Sequence, residues 1–140
     1  MFTKTSEYAI KIMIYLSKNS SRDHLCQVGE ISQALDSPEP FTAKILQQLT
    51  KVDLLMSMKG KNGGFTLGRA PEKIKICDIV VSIDGEKAVK KCILGLRDCS
   101  SENPCPLHHK YYKIKSDIRD NILNVDLLYL KDTLKTINLQ

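Results

Sequence analysis

A chain of 140 residues, 42% apolar and 26% charged, is long enough for one domain with a single buried core and too short for a multidomain enzyme. No apolar run approaches the roughly 18 residues of a membrane span, and Met1 to Thr5 carry no signal-peptide pattern, so a cytoplasmic protein is expected. The net charge of +5, from 21 basic and 16 acidic groups, permits a polyanionic partner without demanding one; any nucleic-acid surface must come from local placement.

Tyr8, Ala9, Ile12, Met13 and Leu16 recur at helical spacing between Ser6 and Lys18, with Ser6 as the expected N-cap and Asn19-Ser20-Ser21 as the stop. Ile10 and Ile14 add a second apolar stripe, so this helix packs between two layers or against a second subunit. Val28 to Leu35 predicts a short second helix, with Val28, Ile31 and Ala34 or Leu35 on one face. Asp36-Ser37-Pro38-Glu39-Pro40 then breaks the chain. Ser37 can cap the next helix, and Pro38 suits its first position, where a missing N–H leaves nothing unsatisfied.

From Pro38 to Val52 the spacing predicts a third helix. Phe41, Ile45, Leu49 and Val52 line its inner arc, while Ala43, Lys44, Gln47, Thr50 and Lys51 point outward. Two short helices joined by a tight turn, the second with cationic and amide groups outward, form a helix-turn-helix candidate. Leu54–Met58 and Phe65–Leu67 read as strands around Lys59-Gly60-Lys61-Asn62-Gly63-Gly64, a hairpin wing. Its glycines let the backbone approach a phosphate, and its lysines supply the charge.

Ile76 to Ile83 is an apolar element favoured as helix, with Cys77 as a small buried hydrophobe. Asp84 to Pro106 contains Gly85, Gly95, Pro104, Pro106 and three cysteines, and is too long for an ordinary connection. Leu107, Tyr111, Ile114, Ile118 and Ile122 then mark a long amphipathic helix ending near Asn124. Asp126 can cap a last short helix bearing Leu127, Leu130 and Leu134. The long helix is a natural dimerisation arm, with intramolecular packing as the alternative.

Five cysteines in a chain expected to be reduced are informative, because disulfides are not needed to fold it. Cys92, Cys99 and Cys105 fall within 14 residues and suggest a metal or redox site. Cys26 lies outside this pattern and reads as a packing residue; His24 and His109 read as surface residues. No catalytic triad and no phosphate-binding glycine fingerprint is present, so an enzyme is not expected.

The order of features resembles the bacterial Rrf-two-type regulators. The residues that carry the likeness are Pro38-x-x-Phe41-x-x-Lys44-Ile45-Leu46-x-x-Leu49, Gly60-Lys61-Asn62-Gly63-Gly64-Phe65-x-Leu67, and Asp78-Ile79-Val80 before Asp84-Gly85. The resemblance runs from Tyr8-Ala9 to the final helix. It implies a mainly α fold with a small β-hairpin wing: a winged helix-turn-helix over residues 1–83, a cysteine-rich sensor loop over 84–106, and a dimerisation helix with its tail over 107–140. It also implies a homodimer on a palindromic operator in double-stranded DNA, with Lys44, Gln47 and Lys51 reaching base edges or phosphates and the Ala43 methyl meeting a thymine methyl. Pro40 and Thr42 join them on the helix, and Lys59, Gly60, Lys61, Asn62 and Gly63 on the wing. Family members usually carry arginine where Lys59 stands; lysine keeps the charge and loses the fork.

Many members of the family bind an iron–sulfur cluster in this loop and switch DNA binding with cluster state. Cys92-x6-Cys99-x5-Cys105 fits the cluster-binding members. His108 stands where IscR-like members place a fourth ligand to a 2Fe–2S cluster. Glu7 stands where NsrR-like members place a carboxylate that reaches a 4Fe–4S cluster from the other subunit. Both are present, so the fourth ligand stays open. Ordering of the loop by its ligand is expected to change the spacing of the two recognition helices on the operator. The alternatives are a zinc site, although CxxC pairs are missing, a thiol switch, a non-DNA-binding electron carrier, and a partner-binding winged helix without DNA affinity.

Overall fold

The computed structural model describes residues 2–135 and 138–140, so Met1 of the expected DNA-binding domain and Thr136 and Ile137 of the expected tail lie outside the described residues. Helix α1 (Lys4–Asn19) is capped by Thr3, whose Oγ1 accepts the Ser6 N–H at 3.1 Å. Ser6, the expected cap, lies inside the first turn. It is buried there, and its hydroxyl donates to Asp84 at 2.5 Å. The two apolar stripes of α1 are both used: Ala9, Ile12, Met13 and Leu16 are fully buried and Ile14 nearly so, with α4, α7 and the wing packed around them.

Helix α2 (Val28–Ala34) buries Ile31, with Leu35 just beyond its end. Helix α3 (Glu39–Lys51) starts one residue later than expected. Pro38 is its cap, Pro40 fills its second position, and the Pro38 carbonyl accepts the Thr42 N–H at 3.1 Å. Ser37 turns instead to the hydroxyls of Tyr8 and Thr42. The inner arc of α3 is Thr42, Ile45, Leu46 and Leu49. Phe41 and Val52 remain 38% and 42% exposed, because the Phe41 ring rests at the edge of Tyr8, centroids 5.1 Å apart, and Val52 has already left the helix as its C-cap.

Asp53, at φ 60°, turns the chain out of α3 into the left-handed region. Strands β1 (Leu55–Met58) and β2 (Gly64–Leu67) pair antiparallel, from Leu55 opposite Leu67 to Met58 opposite Gly64. Cys26 adds itself to the outer edge of β2: its N–H donates to the Phe65 carbonyl at 3.0 Å and its carbonyl accepts the Phe65 N–H at 2.8 Å. Gly64, at φ +145°, permits that approach, since a Cβ there would lie 2.5 Å from the Cys26 carbonyl oxygen.

After a 3-10 turn (Pro71–Lys73), α4 (Ile76–Asp84) buries Ile76, Ile79 and Val80, as the helical reading expects, and leaves Cys77 half-buried. The span expected to be irregular contains one turn of helix, α5 (Lys87–Lys90). Helix α6 (His108–Ile118) continues through a π-helical turn (Arg119–Leu123) and stops at Asn124. Asp126 caps α7 (Leu127–Thr133) by accepting the Tyr129 N–H at 2.8 Å. Two apolar clusters result: a large one around α1, and a smaller one of Ile76, Val80 and Leu123, with Ile10 and Leu130 packed against both. Each large aliphatic side chain in them contributes about 1.5–3 kcal/mol by leaving water. Among the described residues no helix is long and apolar enough to cross a membrane.

Candidate nucleic-acid interface and cysteine centre

The solvent face of α3 presents Lys44, Gln47 and Lys51, all exposed, with Ala43 and Thr50 half-buried beside them. Pro40 is exposed at the helix start. The wing tip extends this surface with exposed Lys59, Gly60, Lys61 and Asn62. Between helix and wing runs a groove of about 560 Å³, lined by Gln47, Thr50, Lys51, Met58, Lys59 and Gly60 and closed by Gln27 and Val28 from the start of α2. Among the described residues Lys44, Lys51, Lys59 and Lys61 have no ion-pair partner, so their charge is available to a polyanion.

One expected contact is not on this surface. Thr42 is fully buried, its Oγ1 lying 2.9 Å from Tyr8 Oη and donating to the Pro38 carbonyl at 3.1 Å. It fixes α3 against α1 and presents nothing outward. Gly63, although buried, lines the groove with Gly60; its N–H closes the turn on Gly60 and a Cβ would lie 2.2 Å from the Met58 carbonyl oxygen. Conversely, Gln27 and the 58% exposed Met58 line the groove without having been singled out. Met58 could have been read from the alternation of β1, whereas Gln27 reaches the site only through packing of α2 on α3.

The second site lies between α5 and α6. Gly95, at φ 69°, turns the chain back after Cys92, its N–H donating to the Cys92 carbonyl at 2.9 Å. Asn103 and Ser100 close a second turn between Cys99 and Cys105. The His108 N–H then donates to the Cys105 carbonyl at 3.0 Å as α6 begins. These turns bring the sulfurs of Cys92, Cys99 and Cys105 within 4.8 Å of one another. Cys92 and Cys105 are 3.7 Å apart, and His108 Nδ1 is 3.2 Å from Cys99 Sγ. Lys90, Lys91 and Lys115 line a cavity of about 60 Å³ beside them, with the Lys90 ammonium paired to Glu86 at 2.6 Å. Glu7, on α1, is paired with Lys4 at 3.5 Å and is not among the groups gathered around the cysteines of its own chain.

The thiols are unequal. The Leu94 backbone N–H, helped by that of Leu96 and by the Cys99 and Cys105 thiols, holds Cys92 down to about 7. At Cys99 the Cys105 N–H, 3.5 Å from the sulfur, favours the thiolate. Burial and the neighbouring thiols outweigh it, and the Cys99 thiol is pushed up. Burial, and then the Glu30 carboxylate, push Cys26 up to about 11. Burial followed by Asp78 also raises Cys77.

Residues 2–133 match the family described as Rrf2, iron-dependent transcriptional regulator. A protein of Aquifex aeolicus (strain VF5) named as an HTH-type transcriptional regulator is 38% identical over 122 residues, covering 86% of this chain and 83% of that one. The HTH-type transcriptional regulator NsrR of Bacillus licheniformis is 24% identical over 139 residues, 96% of each chain. Among solved structures, CymR, the global cysteine regulator of B. subtilis, shares the fold with a TM-score of 0.78 at 20% identity, over 94% of this chain and 96% of that one. With a helix-turn-helix, a lysine-bearing wing and no enzymatic relative among these, the chain belongs to the Rrf2 family of DNA-binding transcriptional regulators.

Proposed function

We propose that this regulator binds a palindromic DNA operator as a homodimer and that an iron–sulfur cluster, held by Cys92, Cys99, Cys105 and His108, sets its affinity. The observation that carries the reading is the convergence of three sulfurs within 4.8 Å, with His108 Nδ1 3.2 Å from one of them. Thiolates are the usual cluster ligands, one imidazole in place of a thiolate is a known variation, and the surrounding lysines offset the negative charge of such a group. When bound, the cluster supplies electron-transfer chemistry. His108 is favoured over Glu7 as fourth ligand because α6 places it in contact with Cys99, and this choice goes with a 2Fe–2S cluster.

The rest follows from the chain's own contacts. Lys44, Gln47 and Lys51 enter the major groove, with Pro40 and Ala43 against the backbone and base methyls. Lys59, Gly60, Lys61 and Asn62 follow the adjacent phosphates. Asp84, where the cysteine segment begins, accepts from Thr3 at 2.8 Å and from Ser6 at 2.5 Å, so the loop pulls directly on the start of α1. At its other end Lys115 of α6 donates to the Lys90 carbonyl at 2.5 Å. A change of loop order thereby moves α6 relative to the reading head. Ile114 on α6 and Ile122 in the π-turn that continues it, 55% and 40% exposed, offer the surface for a second copy.

Protein purified without oxygen tests this reading. Visible absorption together with matching amounts of iron and sulfide, both lost in Cys99→Ser, is the expected result; zinc without sulfide, or no metal, would overturn it. A thiol switch is the second reading, favoured by the 3.7 Å separation of Cys92 and Cys105 and the lowered Cys92. It predicts colourless protein in which that pair closes to a disulfide of about 2.05 Å on oxidation. Loss of operator affinity with rising salt, in a gel shift, separates a DNA binder from an electron carrier.

A further inference from the structure

A second set of metal-ligating groups converges where the α1–α2 connection meets the wing. Donor atoms of His24, Cys26 and Glu30 all lie within 4.8 Å of one another. The arrangement is local in origin. His24 and Cys26 are two apart along extended backbone, which puts their side chains on the same side, and Glu30 stands in the first turn of α2.

The backbone beneath them is fixed at two points. Ser21 and His24 exchange N–H···O bonds at 2.9 and 3.2 Å, and Cys26 is held on both its backbone groups by Phe65 of β2. Only the side chains of His24 and Glu30, both exposed, retain freedom above a fully buried Cys26.

We propose that His24, Cys26 and Glu30 form a divalent-cation site of the zinc class, with the fourth position open to water. A sulfur, an imidazole nitrogen and a carboxylate oxygen make a borderline-soft donor set, suited to zinc and unsuited to the oxygen-seeking magnesium or calcium. Zinc–sulfur and zinc–nitrogen bonds of about 2.3 and 2.0 Å place tetrahedral donors about 3.3–3.6 Å apart. Closing to that spacing from at most 4.8 Å needs only rotation of the two exposed side chains.

The supporting groups are present as well. Tyr15 Oη donates to Glu30 Oε1 at 3.2 Å, orienting the carboxylate and leaving its other oxygen free, as outer-shell partners of metal ligands do. The Cys26 thiol donates to the Asn19 carbonyl at 3.5 Å and also faces the Glu30 carboxylate. On binding, its proton passes to solvent and the sulfur pair goes to the cation, one proton released per ion. Among the described residues neither His24 nor Glu30 is tied up in an ion pair. Because Cys26 is also the residue paired with β2, an occupied site would anchor the wing to the first turn of α2.

Cobalt(II) titration of the full chain carrying Cys92→Ser, Cys99→Ser and Cys105→Ser tests the site without any contribution from the loop, so its result is independent of the cluster reading. The expected result is one cobalt per chain, a sulfur-to-cobalt charge-transfer band and the intense visible bands of tetrahedral cobalt, all displaced by zinc. Adding Cys26→Ser should abolish the charge-transfer band. His24→Ala or Glu30→Gln, at exposed positions where folding is not at stake, should weaken binding at least about tenfold, the loss typical even for an outer-shell partner. Absence of the band would overturn the proposal. So would a band that survives Cys26→Ser, which would assign it to Cys77, or cobalt affinity indifferent to both His24→Ala and Glu30→Gln.

Discussion

Two side chains on α3, Thr42 and Lys44, sit two positions apart and have opposite duties. Thr42 is fully buried among the hydroxyls of Tyr8 and Ser37. Thr42→Val keeps the shape and removes these bonds, so it should cost about 1 kcal/mol of stability in urea unfolding without changing the charge of the DNA face. Lys44→Ala should leave stability within about 0.5 kcal/mol and lower the salt slope of operator binding by about 1, measured by gel shift at several salt concentrations. Sequence periodicity could identify the lysine, because outward positions follow from the helix alone. Thr42 was expected from the family likeness and not from periodicity, and what buries it is a tyrosine 34 residues away on another helix. The cysteines separate in the same way. In metal-free reduced protein, Cys92, held down to about 7, should alkylate with iodoacetamide at a rate that rises through pH 7 and levels off above it. Cys26, pushed up to about 11, should stay unmodified at pH 8. Site-resolved mass spectrometry across pH checks both, and equal rates would contradict the assigned environments.

Among the elements, the wing depends most on backbone geometry. Gly64 combines φ +145° with an approach of 2.5 Å between a would-be Cβ and the Cys26 carbonyl. Gly64→Ala should therefore destabilise by more than about 1 kcal/mol, and chemical denaturation of the variant measures it. The wing itself was readable, since two short apolar strands around a lysine–glycine turn have few other solutions. The start of α1 was less so. Thr3 and Ser6 are both competent caps three residues apart, and only the claim of Asp84 on the Ser6 hydroxyl decides between them. Helix α5 went unread because its four residues, Lys87 to Lys90, contain no apolar period.

At the scale of the whole molecule, α1 runs through the large cluster while Ile10 touches the small one, so one helix joins the two. Helix α6 touches the small cluster through Ile118 and leaves Ile114 in solvent. Ile114→Glu, at a position 55% exposed, should leave the helical content unchanged and convert a dimer to a monomer in sedimentation, with loss of affinity for a palindrome but little for a half-site. A dimer that survives the substitution would move the subunit contact elsewhere. The three cysteines were visible as a group from spacing alone, yet their approach to His108 depends on turns at Gly95 and Asn103 that spacing does not specify.

The chain enters α4 and leaves the π-turn at one place. The Ile76 N–H donates to the Val125 carbonyl at 3.0 Å, and the Leu127 N–H to the Ile74 carbonyl at 2.8 Å. The stretch from α4 to the π-turn is thus closed by a clasp at its base; α4 stays packed on α1 and α3, and α7 on α1, so the segment free of the core is the one after Asp84. Such a segment can be shortened, lengthened or re-equipped with other ligands while the register of the reading head stays the same. The fold thereby allows the cysteine segment to vary without rebuilding the part that reads DNA.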